Sequence, residues 1–181
     1  MSSAASVLPS DHELVAAWRG GDEAAAAQLV TRHAASLGRY LVACGAASSE
    51  VDDLVQDAFF KAFRSLPGWR GDGSFRGWVF RIGGNLLKDL FRHRKGRVIL
   101  PIDGHDAVDR ADPAGEFTAA ETERRLEECL TRLPRLQREV FLLRAQQGMD
   151  YAELATTLGT TPGAARVHYH HAVKRLKEWL Q

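Results

Sequence analysis

The stretch DYAELATTLGTTPGAARVHYHHAVKRLK, Asp150–Lys177, decides the fold. Asp150 and Glu153 have the spacing of a capping box, with Asp150 as N-cap and Glu153 reaching back to it. Leu154, Ala155 and Leu158 then make the inner face of a short helix, and Gly159 is its expected left-handed terminator. Thr161 caps a new helix with Pro162 at the first position, where a missing N–H costs nothing. In that helix Ala165, Tyr169, Ala172, Leu176 and Leu180 recur at helical spacing and predict a core stripe. Gly163, Arg166, His170, Lys174 and Lys177 fall on the outer face. The whole reads as a helix-turn-helix whose second helix carries a basic outer face, with charge for phosphates and donors for base edges.

Upstream, Leu126, Leu130 and Leu133 mark one helix stopped at Pro134, and Leu136, Val140, Phe141 and Leu143 mark another ended by Gly148. This second module begins near Glu121. A first module runs from Asp11, read as an N-cap ahead of Leu14, Val15 and Trp18, to Val98. Gly20-Gly21-Asp22 breaks its first helix. Leu29, Val30, His33, Leu37 and Leu41 line a second, and Ser48-Ser49 opens a third. That third helix is the clearest: Leu54, Val55, Ala58, Phe59, Ala62, Phe63 and Leu66 form a buried stripe. Its opposite face carries Asp53, Gln56, Asp57, Phe60, Lys61 and Arg64, where an aromatic among charges reads as an interface anchor.

Pro67-Gly68 ends that helix, and a loop from Trp69 to Ser74 follows. Phe75, Trp78, Val79, Ile82, Leu86 and Leu90 mark a fourth helix, interrupted by Gly83-Gly84 at about 1 kcal/mol each relative to alanine. It leaves through Phe91-Arg92-His93-Arg94-Lys95-Gly96-Arg97, more cation than a helix C-terminus requires. Residues 99–122 hold prolines, glycines and acids without apolar periodicity and read as a flexible acidic linker. The fold class is all-α, with two small helical domains: a disordered 1–10, a domain over 11–98, the linker 99–122, and a helix-turn-helix domain over 123–181.

The charge map separates these pieces. Net charge is +1 overall, yet it is −5 over 11–60, +8 over 61–100, −6 over 101–123 and +4 over 124–181. Two basic blocks divided by an acidic one fit two contact surfaces for a polyanion. No apolar run reaches the roughly 18 residues of a membrane helix, and the start lacks the features of a secretory signal. Cys44 and Cys129 lie far apart in no CxxC pair, which argues for a reducing cytoplasm and against a cysteine zinc site. His168 and His171 are too few for a closed metal site, so neither metal nor cofactor is expected. No hydrolase, phosphate-loop or metalloprotease motif is present, so no enzyme is expected.

Three motifs in order carry a family resemblance. Asp53-Leu54-Val55-Gln56-Asp57-Ala58-Phe59 resembles region 2.2 of the extracytoplasmic-function (ECF) sigma factors of bacterial RNA polymerase, in the sigma-70 family. The segment from Phe75 through Arg81-Ile82-Gly83-Gly84-Asn85 to Leu86 resembles region 2.3, and Leu133–Arg144 with the helix-turn-helix resembles region 4. The resemblance implies that Asp53, Gln56, Asp57, Phe60 and Lys61 bind the clamp of core polymerase. It implies that Asn85 reads a flipped −10 base, beside Trp69, Arg76, Trp78, Arg81, Lys88, Arg92, Arg94 and Lys95, since a flipped base needs stacking and neutralised phosphates. Thr161, Arg166, Val167, His170, His171, Lys174 and Arg175 are then the residues for −35 duplex DNA, with the polymerase flap and an anti-sigma factor as further partners and no membrane insertion.

The sequence departs from the family in both modules. Arg166, Val167 and His168 stand where Lys or Arg, Ser and Arg are usual, and His170 and His171 where a varied residue and an arginine are common, which leaves the class intact and the −35 sequence unassigned. Gly83-Gly84 replaces an alanine-containing pair, which predicts a looser melting helix. The competing reading, a stand-alone helix-turn-helix regulator with a sensing N-terminal half, leaves the aromatic and basic surface of Trp69–Arg97 without a purpose.

Overall fold

A computed structural model describes residues 8–71, 73–97 and 119–181. Among the described residues eight α-helices follow in order: α1 Asp11–Arg19, α2 Glu23–Ala43, α3 Ser48–Ser65, α4 Phe75–Arg97, α5 Ala119–Arg132, α6 Arg135–Ala145, α7 Tyr151–Leu158 and α8 Pro162–Leu180. A 3₁₀ turn, Leu66–Gly68, follows α3, and there is no strand among the described residues. The all-α expectation holds. Most of the linker and residues 1–7 lie outside the described residues. The last residues read as linker, from Ala119, already belong to α5, where Arg124 bridges Glu121 and Glu128 at 2.9 and 2.6 Å along one helical face.

The N-cap of α1 is Ser10, one residue before the expected Asp11. Ser10 Oγ accepts from Glu13 N–H at 3.3 Å, and the Glu13 carboxylate accepts from Ser10 N–H at 2.7 Å, a complete capping box. Asp11 is thereby freed to stitch α1 to α2: its carboxylate lies 2.7 Å from Arg32 Nη1 and 2.7 Å from His33 Nε2. Burial raises the Asp11 carboxyl, but hydrogen bonds from His33 and Arg32 and their charges outweigh it and hold it below its ordinary value of 3.8.

Helices α1 to α4 close around Leu14, Val15, Leu29, Leu37, Leu41, Leu54, Ala58, Phe59 and Leu66, all buried, as their spacing requires. The fourth helix differs from its reading. Phe80 and Leu87 are buried, whereas Trp78, Ile82, Leu86 and Leu90 are only half-buried. The cause is that α4 packs on α2 as well as on α3, so its apolar face is wider than one stripe. Phe80 meets Tyr40 of α2 with ring centroids 5.3 Å apart. Gly83 is a contact, not a looseness: a Cβ there would stand 2.9 Å from Leu37 Cδ1. Removing that atom lets α4 lie close against α2.

In the second half α8 packs on both α6 and α7, which also touch each other. The burial of α6 is again wider than the expected stripe, taking in Leu142, Gln137 and Glu139 beside Val140 and Leu143. The helix-turn-helix folds as its punctuation dictates. Asp150 accepts from Glu153 N–H at 2.8 Å, Gly159 is left-handed at φ 67°, and Thr161 Oγ1 accepts from Ala164 N–H at 3.1 Å. One half of the predicted capping box is missing, however: the Glu153 carboxylate does not turn back to Asp150.

Candidate nucleic-acid interface

The exposed face of α3 carries Asp53, Gln56, Asp57, Phe60, Lys61 and Arg64 together, all open to solvent. Phe60 is 64% exposed, among the few large apolar side chains left outside. Along one edge this face runs into an open groove of about 310 Å³ between α3 and α4. Lys61 and Ser65 line it from one side, Trp78, Ile82, Asn85, Leu86 and Asp89 from the other. Lys61 and Asn85, assigned separately from the sequence, thus share one groove.

Asn85 is exposed, and Lys88 Nζ approaches its Oδ1 at 3.4 Å. Trp78, in the groove wall, stacks nearly parallel on Trp69, with centroids 5.1 Å apart and planes 9° from each other. The loop that presents Trp69 is fastened by Arg19, which donates to the Leu66 carbonyl at 2.9 Å and to the Trp69 carbonyl. Arg19 carried no signal in the sequence, because a lone arginine at a helix end reads as a dipole partner. Arg81 is exposed. Farther along α4, Arg92 pairs with Asp89 and Arg94 with Glu50, both at the surface. The side chain of Lys95 lies outside the described residues.

Arg76 is engaged across the molecule. Its Nη2 lies 3.1 Å from Glu153 Oε2 on α7, and its Nη1 donates to the Gln147 carbonyl at 2.8 Å. Ser74 Oγ also donates to Glu153. Gly77 allows this approach, since a Cβ there would stand 2.7 Å from Thr157 Oγ1. The helix-turn-helix half therefore docks its first helix on the start of α4, with the Glu153 carboxylate paired to the Arg76 guanidinium. Sequence reasoning assigned Glu153 to a cap because local spacing cannot report a partner 77 residues away.

On α8 the residues Arg166, Val167, His170, His171, Lys174 and Arg175 are all exposed. The Arg166 guanidinium lies 5.1 Å from the Tyr151 ring, and Arg144 lies 5.1 Å from the same ring. This cradle, which aims Arg166, was not foreseen. Thr161 uses its hydroxyl as the cap, and Arg175 donates to Gln137 at 3.2 Å, so neither stands free. Lys174 lies 4.0 Å from Glu178. The rings of His170 and His171 are 6.2 Å apart, while His168 turns inward and leaves Nδ1 buried without a partner. No group of three or more metal-ligating side chains occurs among the described residues.

Residues 29–97 match the family model "Sigma-70 region 2" and residues 123–176 match "Sigma-70, region 4". The RNA polymerase sigma factor NccH of Alcaligenes xylosoxydans xylosoxydans is 36% identical, over 89% of this chain and 89% of that protein. The RNA polymerase sigma factor CnrH of Cupriavidus metallidurans is 33% identical, over 94% of both. A solved structure of CnrH with the cytosolic domain of CnrY is similar with a TM-score of 0.72 at 32% identity, over 94% of this chain and 96% of that one. With both regions matched in order, and with relatives at this level of identity that include ECF RNA polymerase sigma factors, the chain belongs to the ECF RNA polymerase sigma factors of the sigma-70 family.

Proposed function

We propose that the protein joins core RNA polymerase through the exposed face of α3 and directs promoter-specific initiation. It then captures and opens the −10 element at the groove carrying Asn85 and reads the −35 duplex with α8. It is an initiation factor without enzymatic activity of its own, and it works in the cytoplasm. No described helix is long and apolar enough to cross a membrane. The similar CnrH was solved in complex with the cytosolic domain of a second protein, CnrY, which supports a regulatory protein partner of the anti-sigma kind here too.

The observation that carries the reading is the shared groove. Lys61, on the same exposed face of α3 as Phe60 and Asp57, stands on one side and Asn85 on the other, so a polymerase bound to α3 would border the strand held at α4. The Arg76–Glu153 contact supports polymerase dependence, because in the free protein a −10 cation is already paired with its own second half. The test is Asp57→Lys with Phe60→Ala. Both residues lie off the core, so the variant should fold while losing competition for core polymerase and promoter-specific transcription. Normal transcription by that variant rules out the α3 assignment. The stand-alone regulator predicts instead tight, specific duplex binding by the protein without polymerase.

A further inference from the structure

Val167 is a valine in the wrong place for a solvated helix. It is 52% exposed on α8, with no ring, cap or core contact to account for it. Its neighbours on the outer face are cationic or titratable: Arg166 beside it, His170 and His171 one turn on, and Lys174 two turns on. A β-branched aliphatic there loses rotamer freedom and leaves its methyls in water. A second residue is equally unexplained by the fold. Gly163, one turn before Val167, has helical backbone, and a Cβ built on it would meet nothing within 4 Å. The helix has no need of glycine at that point. Gly163 and Val167 together leave an unobstructed apolar spot within a cationic face, where the helix would face base edges.

From this pair we propose that Val167 is a specificity residue that recognises the C5-methyl of a thymine in the −35 major groove. The inference rests on the −35 reading of α8 given above. Thymine is the base with an apolar projection in the major groove, and aliphatic contact is how that projection is read. Arg166, held over Tyr151, supplies polar readout next to it, and Lys174 and the histidines supply charge for the flanking phosphates. The gap at Gly163 keeps bulk away as the helix approaches the base plane.

Deoxyuridine removes that methyl and changes no hydrogen-bonding group. Holoenzyme assembled from core polymerase and the full chain is bound to a promoter whose −35 thymines are replaced one at a time, on either strand, by deoxyuridine. At one position the replacement should weaken binding about fourfold, the worth of one buried methyl. Holoenzyme carrying Val167→Ala should bind the thymine and deoxyuridine promoters equally at that position. Deoxyuridine that has no effect anywhere, or an equal effect on both proteins, overturns the proposal. A scrambled −35 duplex separates the two levels. If scrambling abolishes binding while deoxyuridine does nothing, only the thymine contact fails. If scrambling changes nothing, the −35 reading fails and the contact with it.

Discussion

Arg76 and Glu153 close the two halves of the protein on each other: Nη2 lies 3.1 Å from Oε2, with Ser74 on the same carboxylate and the Gln147 carbonyl on the same guanidinium. Both side chains are largely withdrawn from solvent. Glu153→Gln removes the charge and keeps the shape. It should raise the radius of gyration in small-angle scattering while leaving the helical circular dichroism unchanged. An unaltered scattering curve would mean that apolar contact alone holds the halves together.

The paired glycines of α4 should behave oppositely. Gly83→Ala drives a methyl to 2.9 Å from Leu37, and overpacking of about 1–3 kcal/mol outweighs the gain in helix propensity. Gly84→Ala meets only the Tyr40 hydroxyl at 3.6 Å, an ordinary contact, so it should stabilise by up to about 1 kcal/mol. Thermal unfolding of the two variants checks the sign of each.

Asp11 ties α1 to α2 and sets an acid limit. Its carboxyl is held below 3.8, so the folded protein binds that proton more weakly than the unfolded chain does. The stabilisation is complete above that value and is lost as pH falls through the lower, folded value. Asp11→Asn should therefore reduce the urea midpoint at pH 7 and differ progressively less from the parent below about pH 4. A constant difference across that range would contradict the assigned partners, His33 and Arg32.

Cys44 ends α2 beside α6, and its thiol is pushed up to about 12, by burial first and then by the charge of Glu139. At pH 8 it should alkylate roughly a thousandfold more slowly than in the unfolded chain, because the thiolate is the reactive form. Glu139→Gln removes the repelling charge and should speed labelling, read by mass spectrometry of iodoacetamide-treated protein. Labelling at the unfolded rate would show that α6 does not cover the thiol.

The sequence carried the helices where periodicity and punctuation agreed, as at Asp150, Gly159 and Thr161 or along Leu54–Leu66. It failed where a helix packs on two neighbours. Phe80 and Leu142 lie outside any single stripe, yet both are buried. It also failed where a polar group prefers a distant partner to the local one. Ser10 took the cap from Asp11, and Glu153 left its cap for Arg76. On the candidate surfaces, residue type and face were legible for Phe60 and Arg166, while Asn85 and Val167 entered through the family resemblance. The supports beneath them were not, because Arg19 under the Trp69 loop and Tyr151 under Arg166 are long-range contacts with no spacing to reveal them.

The most direct test adds the purified protein to sigma-free core polymerase on a library of genomic fragments and sequences the transcripts. Discrete start sites sharing a −35 and a −10 motif are predicted, with Asn85→Ala relaxing the preference at one −10 position. Start sites no different from those of core polymerase alone would contradict the account.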